Sequence, residues 1–191
     1  MKRPIAILIS GRGSNMRALA EACKGEDYPA RVALVLSNVK DAAGLAWAAE
    51  RGIQTATVEH RAYGGDREAF ERALDREISG SGAGLVCLAG FMRVLTPWFI
   101  DTYRGRLINI HPSLLPAFPG LHTHRRALEA GVAVHGCTVH HVIAHVDAGE
   151  IIQQASVPVL PDDTEDTLAA RVLVEEWRLY PEALRRVLLS S

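Results

Sequence analysis

Uninterrupted apolar runs alternate with segments whose apolar residues recur every three or four positions through the first half of the chain. Pro4–Ile9 is such a run, the pattern of a strand covered on both faces. Arg31–Leu36 and Leu85–Ala89 repeat it, and shorter strands are predicted near Gln54–Val58 and over Arg106–Ile110. Between them Met16–Lys24, Ala42–Arg51 and Asp66–Ile78 read as helices. In the last of these Phe70, Leu74 and Ile78 fall four residues apart, and Asp66 stands where an N-cap is favoured. This alternation predicts an α/β fold, a mostly parallel twisted sheet flanked by helices. Ligands of such sheets bind beyond the carboxyl ends of the strands. Function is therefore expected in the loops that begin at Ser10, Asn38, Gly90 and His111.

The second half changes character. Pro112, Pro116 and Pro119 exclude regular structure between His111 and Gly120. A short helix is predicted over Thr123–Ala130. Two β-rich stretches follow, Val134–Val142 and Glu150–Val159, separated by the turn Asp147-Ala148-Gly149 and expected to pair antiparallel. Asp162 and Asp163 before Thr164 mark the start of a last helix to Tyr180, continuing or restarting at Pro181. No repeat or long linker interrupts the chain.

Composition narrows the partners. The 191 residues are 48% hydrophobic with a formal net charge of -1, so the basic footprint of a nucleic-acid binder is missing. The three cysteines, Cys23, Cys87 and Cys137, form no CxxC pair, which argues against a zinc ribbon or a disulfide framework. The apolar stretch before Gly11 is too short for a signal peptide or a membrane span. A cytoplasmic protein acting on small molecules, with no nucleic acid or membrane partner, is expected.

Three features carry candidate chemistry. Gly11-Arg12-Gly13-Ser14-Asn15 follows a strand and opens a helix, where backbone N–H groups bind anions and glycine lets a phosphate approach. Met16 stands where a dinucleotide loop has its third glycine, and the second strand ends in Ser37-Asn38 without an acid for a ribose. The reading is a monophosphate site; the alternative is a plain turn in which Ser14 or Asn15 caps the helix. Asn109 and His111 lie two residues apart and share a strand face. An amide donor beside an imidazole suits a carbonyl oxygen that becomes negative in the transition state. Asp147 is a candidate partner, since a carboxylate favours a charged imidazole; it could also be only a turn residue. Glu176 interrupts the apolar stripe Leu168, Val172, Leu179, either at its solvated edge or aimed into a cleft. His122-x-His124 and His140-His141 lack metal-site spacing, so no metal is expected. Neither a Gly-x-Ser-x-Gly elbow nor a Walker loop occurs.

Over Ile5 to about Pro181 the chain resembles the glycinamide ribonucleotide formyltransferases, folate-dependent enzymes of purine synthesis. The resemblance is carried by Leu36-Ser37-Asn38, Leu88–Leu95 (LAGFMRVL), Asn109–Pro116 (NIHPSLLP), Pro119–His122 (PGLH), His135–His140 (HGCTVH) and Asp147-Ala148-Gly149. Methionyl-tRNA formyltransferase and formyltetrahydrofolate deformylase share the Asn-x-His…Asp set alone. The resemblance implies one Rossmann-like formyltransferase domain over 1–191, with a phosphate-binding half of about 1–100 and a folate-binding half of about 101–191. It implies 10-formyltetrahydrofolate as co-substrate, no metal, phosphoribosylglycinamide as acceptor, and a monomer or homodimer. It assigns catalysis to Asn109, His111 and Asp147, and acceptor binding to Arg12, Gly13, Ser14, Asn15 and Glu176. Folate contacts are implied for Arg67, for Met92, Arg93, Val94 and Leu95, for Asn109, and for Ile143, Ala144, His145, Val146 and Asp147. Glu150 departs from the proline common at that position. A deformylase-like hydrolase and a non-catalytic folate- or nucleotide-binding module are the rival readings.

Overall fold

A computed structural model describes residues 1–190. Seven strands form one sheet: β1 (Arg3–Ile9), β2 (Ala30–Ser37), β3 (Thr55–Thr57), β4 (Leu85–Leu88), β5 (Leu107–His111), β6 (Val134–His141) and β7 (Ile151–Pro158). Their order is β3-β2-β1-β4-β5-β6-β7. The first five are parallel, and β6 and β7 add antiparallel to β5. This is the mixed α/β sheet predicted from the alternation of patterns.

The uninterrupted apolar runs have a direct cause. Ile5 to Ile9 are all fully buried, with Ile5, Ile7 and Ile9 on one face and Ala6 and Leu8 on the other. Each face carries its own helices. The first packs against α1 (Ser14–Lys24), α2 (Ala43–Ala49) and α6 (Glu165–Leu189); the second packs against α3 (Arg67–Gly80) and α4 (Pro97–Thr102). A short helix, α5 (Thr123–Glu129), precedes β6.

The sequence leaves open whether the last helix continues or restarts at Pro181, and two further features differ from the expectation. Helix α6 runs unbroken through Pro181, although proline leaves the carbonyl one turn earlier without its N–H. Burial of Tyr180, Ala183, Leu184 and Leu188 keeps the helix going. The Tyr180 hydroxyl donates between the carbonyls of Leu88 and Ile108, at 2.9 and 3.3 Å, tying α6 to β4 and β5. Helix α4 and a 3-10 turn at His60–Tyr63 are too short to show a period. Strand β5 extends one residue further than expected, so His111 is its last residue.

Candidate active site

Strand β1 lies between β2 and β4, and the chain direction of the crossovers reverses there. Diverging crossovers open a crevice beyond the carboxyl ends of β1 and β4. A cavity of about 280 Å³ occupies it, lined by Ser10, Gly11, Arg12, Gly13, Ser14, Asn15, Ala89, Gly90 and Met92. Gly13 is the N-cap of α1 at φ 68°, a left-handed conformation that glycine adopts without steric cost. No side chain caps the helix, so Ser14 and Asn15 do not act as the caps of the alternative reading. The N–H groups of the first turn are left to bind an anion. Gly44 lets α2 come up behind the loop: it donates to the Gly11 carbonyl at 3.1 Å, and a Cβ there would sit 2.5 Å from Ile9 Cδ1.

Glu176 reaches the same loop from α6. It is buried, and its carboxyl lies against the Asn15 side chain. Burial pushes its carboxyl up to about 7, with the Asn15 side chain opposing the shift. Asn15 Oδ1 is itself buried without a partner, so the pair retains an unused acceptor beside the first turn of α1.

The second cluster stands at the end of β5. The antiparallel register pairs Asn109 with His140. His140 Nδ1 lies 2.9 Å from the His141 carbonyl and must carry its proton there. Burial lowers the His140 pKa, so the ring is neutral and its Nε2 accepts from Asn109 Nδ2 at 3.3 Å. Asp147 lies 3.7 Å from that Nε2, too far for a hydrogen bond. Its other oxygen is 3.4 Å from His111 Nδ1 and accepts from the Gly120 N–H at 2.8 Å. His111 Nε2 faces the Phe118 carbonyl at 3.0 Å. Both ring nitrogens of buried His111 therefore face acceptors.

The backbone around this cluster is unusual. Phe118, His122 and Asp147 all have positive φ, at 52°, 56° and 54°. Such conformations in residues other than glycine concentrate at functional sites. Gly149 closes the Asp147 loop against β6, where a Cβ would fall 1.6 Å from the His141 carbonyl oxygen.

The family pattern described as formyl transferase matches residues 3–184. The chain belongs to the formyl transferase family. It is 50% identical over 177 residues to the phosphoribosylglycinamide formyltransferase of Escherichia coli (strain K12), which spans 93% of this chain and 83% of that protein. It is 46% identical over 185 residues to the trifunctional purine biosynthetic protein adenosine-3 of Drosophila melanogaster, of whose length it spans 14%. Among solved structures, the phosphoribosylglycinamide formyltransferase from Brucella melitensis matches with a TM-score of 0.94 at 48% identity, over 98% of this chain and 96% of that one.

In this formyl transferase the sequence-predicted residues fall into four groups. Arg12 to Asn15, Met92 and, through Asn15, Glu176 meet at the cavity, with Arg12 exposed at its rim. Asn109, His111 and Asp147 meet around His140. Ile143, Ala144, His145 and Val146 form an exposed loop leading into Asp147. Met92 and Val94 are exposed, Arg93 is half-buried, and the Leu95 side chain is buried, so Leu95 can meet a ligand only through its backbone. The exposed Arg67 donates to the Val94 carbonyl. No group of three or more His, Cys, Asp or Glu side chains placed to hold a metal occurs among the described residues.

Sequence reasoning missed the supporting groups of the formyl transferase site. Ser10 accepts from the Met92 N–H at 2.8 Å and donates to Asn38 Oδ1 at 2.5 Å, linking three of the expected loops. His140 was visible only as half of a histidine pair. Its role follows from cross-strand register, which no local spacing reveals.

Proposed function

We propose that the chain transfers the formyl group of 10-formyltetrahydrofolate to the amine of 5'-phosphoribosylglycinamide, giving formylglycinamide ribonucleotide and tetrahydrofolate. The observation that carries this reading is a shared strand edge. An anion-binding helix turn at the end of β1 stands next but one to the Asn109–His111–Asp147 cluster at the end of β5. The names of the relatives agree with it. Residues of the first half hold the phosphorylated acceptor, and those of the second surround the reacting carbonyl.

On this reading the 5-phosphate lies on the N–H groups at Gly13 to Asn15, and Glu176 accepts hydrogen bonds from the ribonucleotide. The pterin-like ring meets the backbone of Met92 to Leu95 and the loop Ile143 to Val146. The acceptor nitrogen attacks the formyl carbon with its lone pair and the carbonyl oxygen takes the negative charge. Asn109 donates to that oxygen through an amide N–H. His111 donates to it once its Nε2–H leaves the Phe118 carbonyl, while Asp147 holds Nδ1. Collapse of the intermediate breaks the bond to the folate nitrogen, which receives the proton lost by the amine. No metal is required for these steps.

The test follows the absorbance of the deformylated folate with and without glycinamide ribonucleotide, for the unsubstituted protein and for Asn109→Ala and His111→Ala. The expected result is turnover that requires the ribonucleotide and falls by roughly 10²–10³-fold in each variant. Turnover without the acceptor means a hydrolase. Folate binding with no turnover means a binding module.

A further inference from the structure

Helix α3 carries Arg67, Glu71 and Asp75 at four-residue intervals, which places them on one stripe. Each holds a different point of the segment between β4 and β5. Arg67 donates to the Val94 carbonyl, Glu71 accepts from the Thr96 N–H at 2.7 Å and from the Thr96 hydroxyl, and Asp75 accepts from the Tyr103 hydroxyl at 2.7 Å. The middle contact differs in kind. Glu71 is 1% exposed, and a buried carboxyl is costly unless its oxygens are hydrogen-bonded. Both of its oxygens take their donors from Thr96.

Thr96 is the N-cap of α4 yet makes no side-chain cap bond. A threonine hydroxyl at an N-cap ordinarily satisfies a free N–H of its own helix. Here it is turned onto Glu71 instead. At the other end of the segment the Met92 N–H donates to Ser10. Met92–Thr96 is thus fastened at both ends and at Val94, while the Met92 and Val94 side chains remain exposed.

We infer that Glu71 is a positioning residue for the folate: by holding Thr96 it sets the backbone of Met92 to Leu95 where the ring of the co-substrate is received. This rests on the proposed role of that segment. Removing Glu71 frees one end of the segment without touching the phosphate loop or the Asn109–His111–Asp147 cluster, so the effect is confined to one substrate.

The experiment compares Glu71→Ala, Glu71→Gln and Thr96→Val with Asp75→Asn, which breaks the neighbouring contact on the same stripe. Steady-state kinetics toward both substrates are measured with hydrogen exchange of the segment 92–96. The expected result for Glu71→Ala is a folate KM raised about 10-fold or more, matching loss of a hydrogen bond to a charged group, with kcat and ribonucleotide KM within about twofold. Exchange at 92–96 accelerates. Glu71→Gln, which keeps an acceptor for the Thr96 N–H, recovers most of the KM. Thr96→Val falls between them, and Asp75→Asn leaves folate KM and exchange at 92–96 unchanged. Unaltered exchange in Glu71→Ala, or a KM shift shared by both substrates, overturns the inference. Absence of turnover by the unsubstituted protein overturns the functional reading instead, and exchange in Glu71→Ala still decides whether the latch exists.

Discussion

The Glu176 carboxyl lies against the Asn15 side chain, bringing the middle of α6 onto the first turn of α1. Burial holds the Glu176 carboxyl at about 7, against an ordinary 4.5. The sign of the stability effect follows from that direction. Below pH 4.5 the acid is protonated folded or unfolded and costs nothing. Between 4.5 and about 7 the unfolded chain ionises first, so rising pH removes stability, up to about 3 kcal/mol. Glu176→Gln is therefore expected to raise the melting temperature at pH 8 and to lose that advantage near pH 4.5. It should also weaken ribonucleotide binding. Thermal melts across this range, with ribonucleotide titrations, check both effects.

His124 and His135 give the opposite pH dependence. Their nitrogens meet at 3.2 Å, a contact that needs a proton on one ring and a lone pair on the other. Burial and the neighbouring histidines hold His135 down at about 4, and burial lowers His124. The stability these neutral rings contribute is present above about pH 6.5 and is lost as pH falls toward 4. Exchange in the segment 112–130 should accelerate over that window, and His135→Gln should flatten the response. A segment equally protected at pH 5 and pH 8 would contradict this.

Gly149→Ala is expected to be severe. The added methyl would overlap the His141 carbonyl, so either the loop carrying Asp147 or the end of β6 must move. Overpacking of this kind costs about 1–3 kcal/mol or more. The melting temperature should drop, and in protein that still folds kcat should fall more than either KM. Unchanged kcat in a folded variant would mean that the position of Asp147 does not matter to the reaction.

Much of the fold is legible in the sequence because strands covered on both faces must be apolar throughout, as Ile5 to Ile9 are. The Asp66 cap is legible because capping is local: its side chain accepts from the Ala69 N–H at 2.9 Å. Asn109 and His111 share a face by strand alternation, and Asp147 was found in a turn near them. What stayed hidden depends on distant partners. Glu71 in REAFERALD is one charged residue among several, and its burial becomes tolerable only through Thr96 on another element. His140 becomes the partner of Asn109 through the β5–β6 register. Pro181 leaves continuation or restart of the last helix undecided in the sequence, and the packing of the residues after it, which outweighs one missing hydrogen bond, decides for continuation.

The central claim is that the formyl carbon passes to an amine within this site, and the most direct measurement follows that carbon. The protein is incubated with 10-formyltetrahydrofolate carrying ¹³C in the formyl group, together with glycinamide ribonucleotide, and the products are identified by mass spectrometry. The account predicts labelled formylglycinamide ribonucleotide in step with tetrahydrofolate, and almost none with His111→Ala. Labelled formate in place of the formylated ribonucleotide would contradict it.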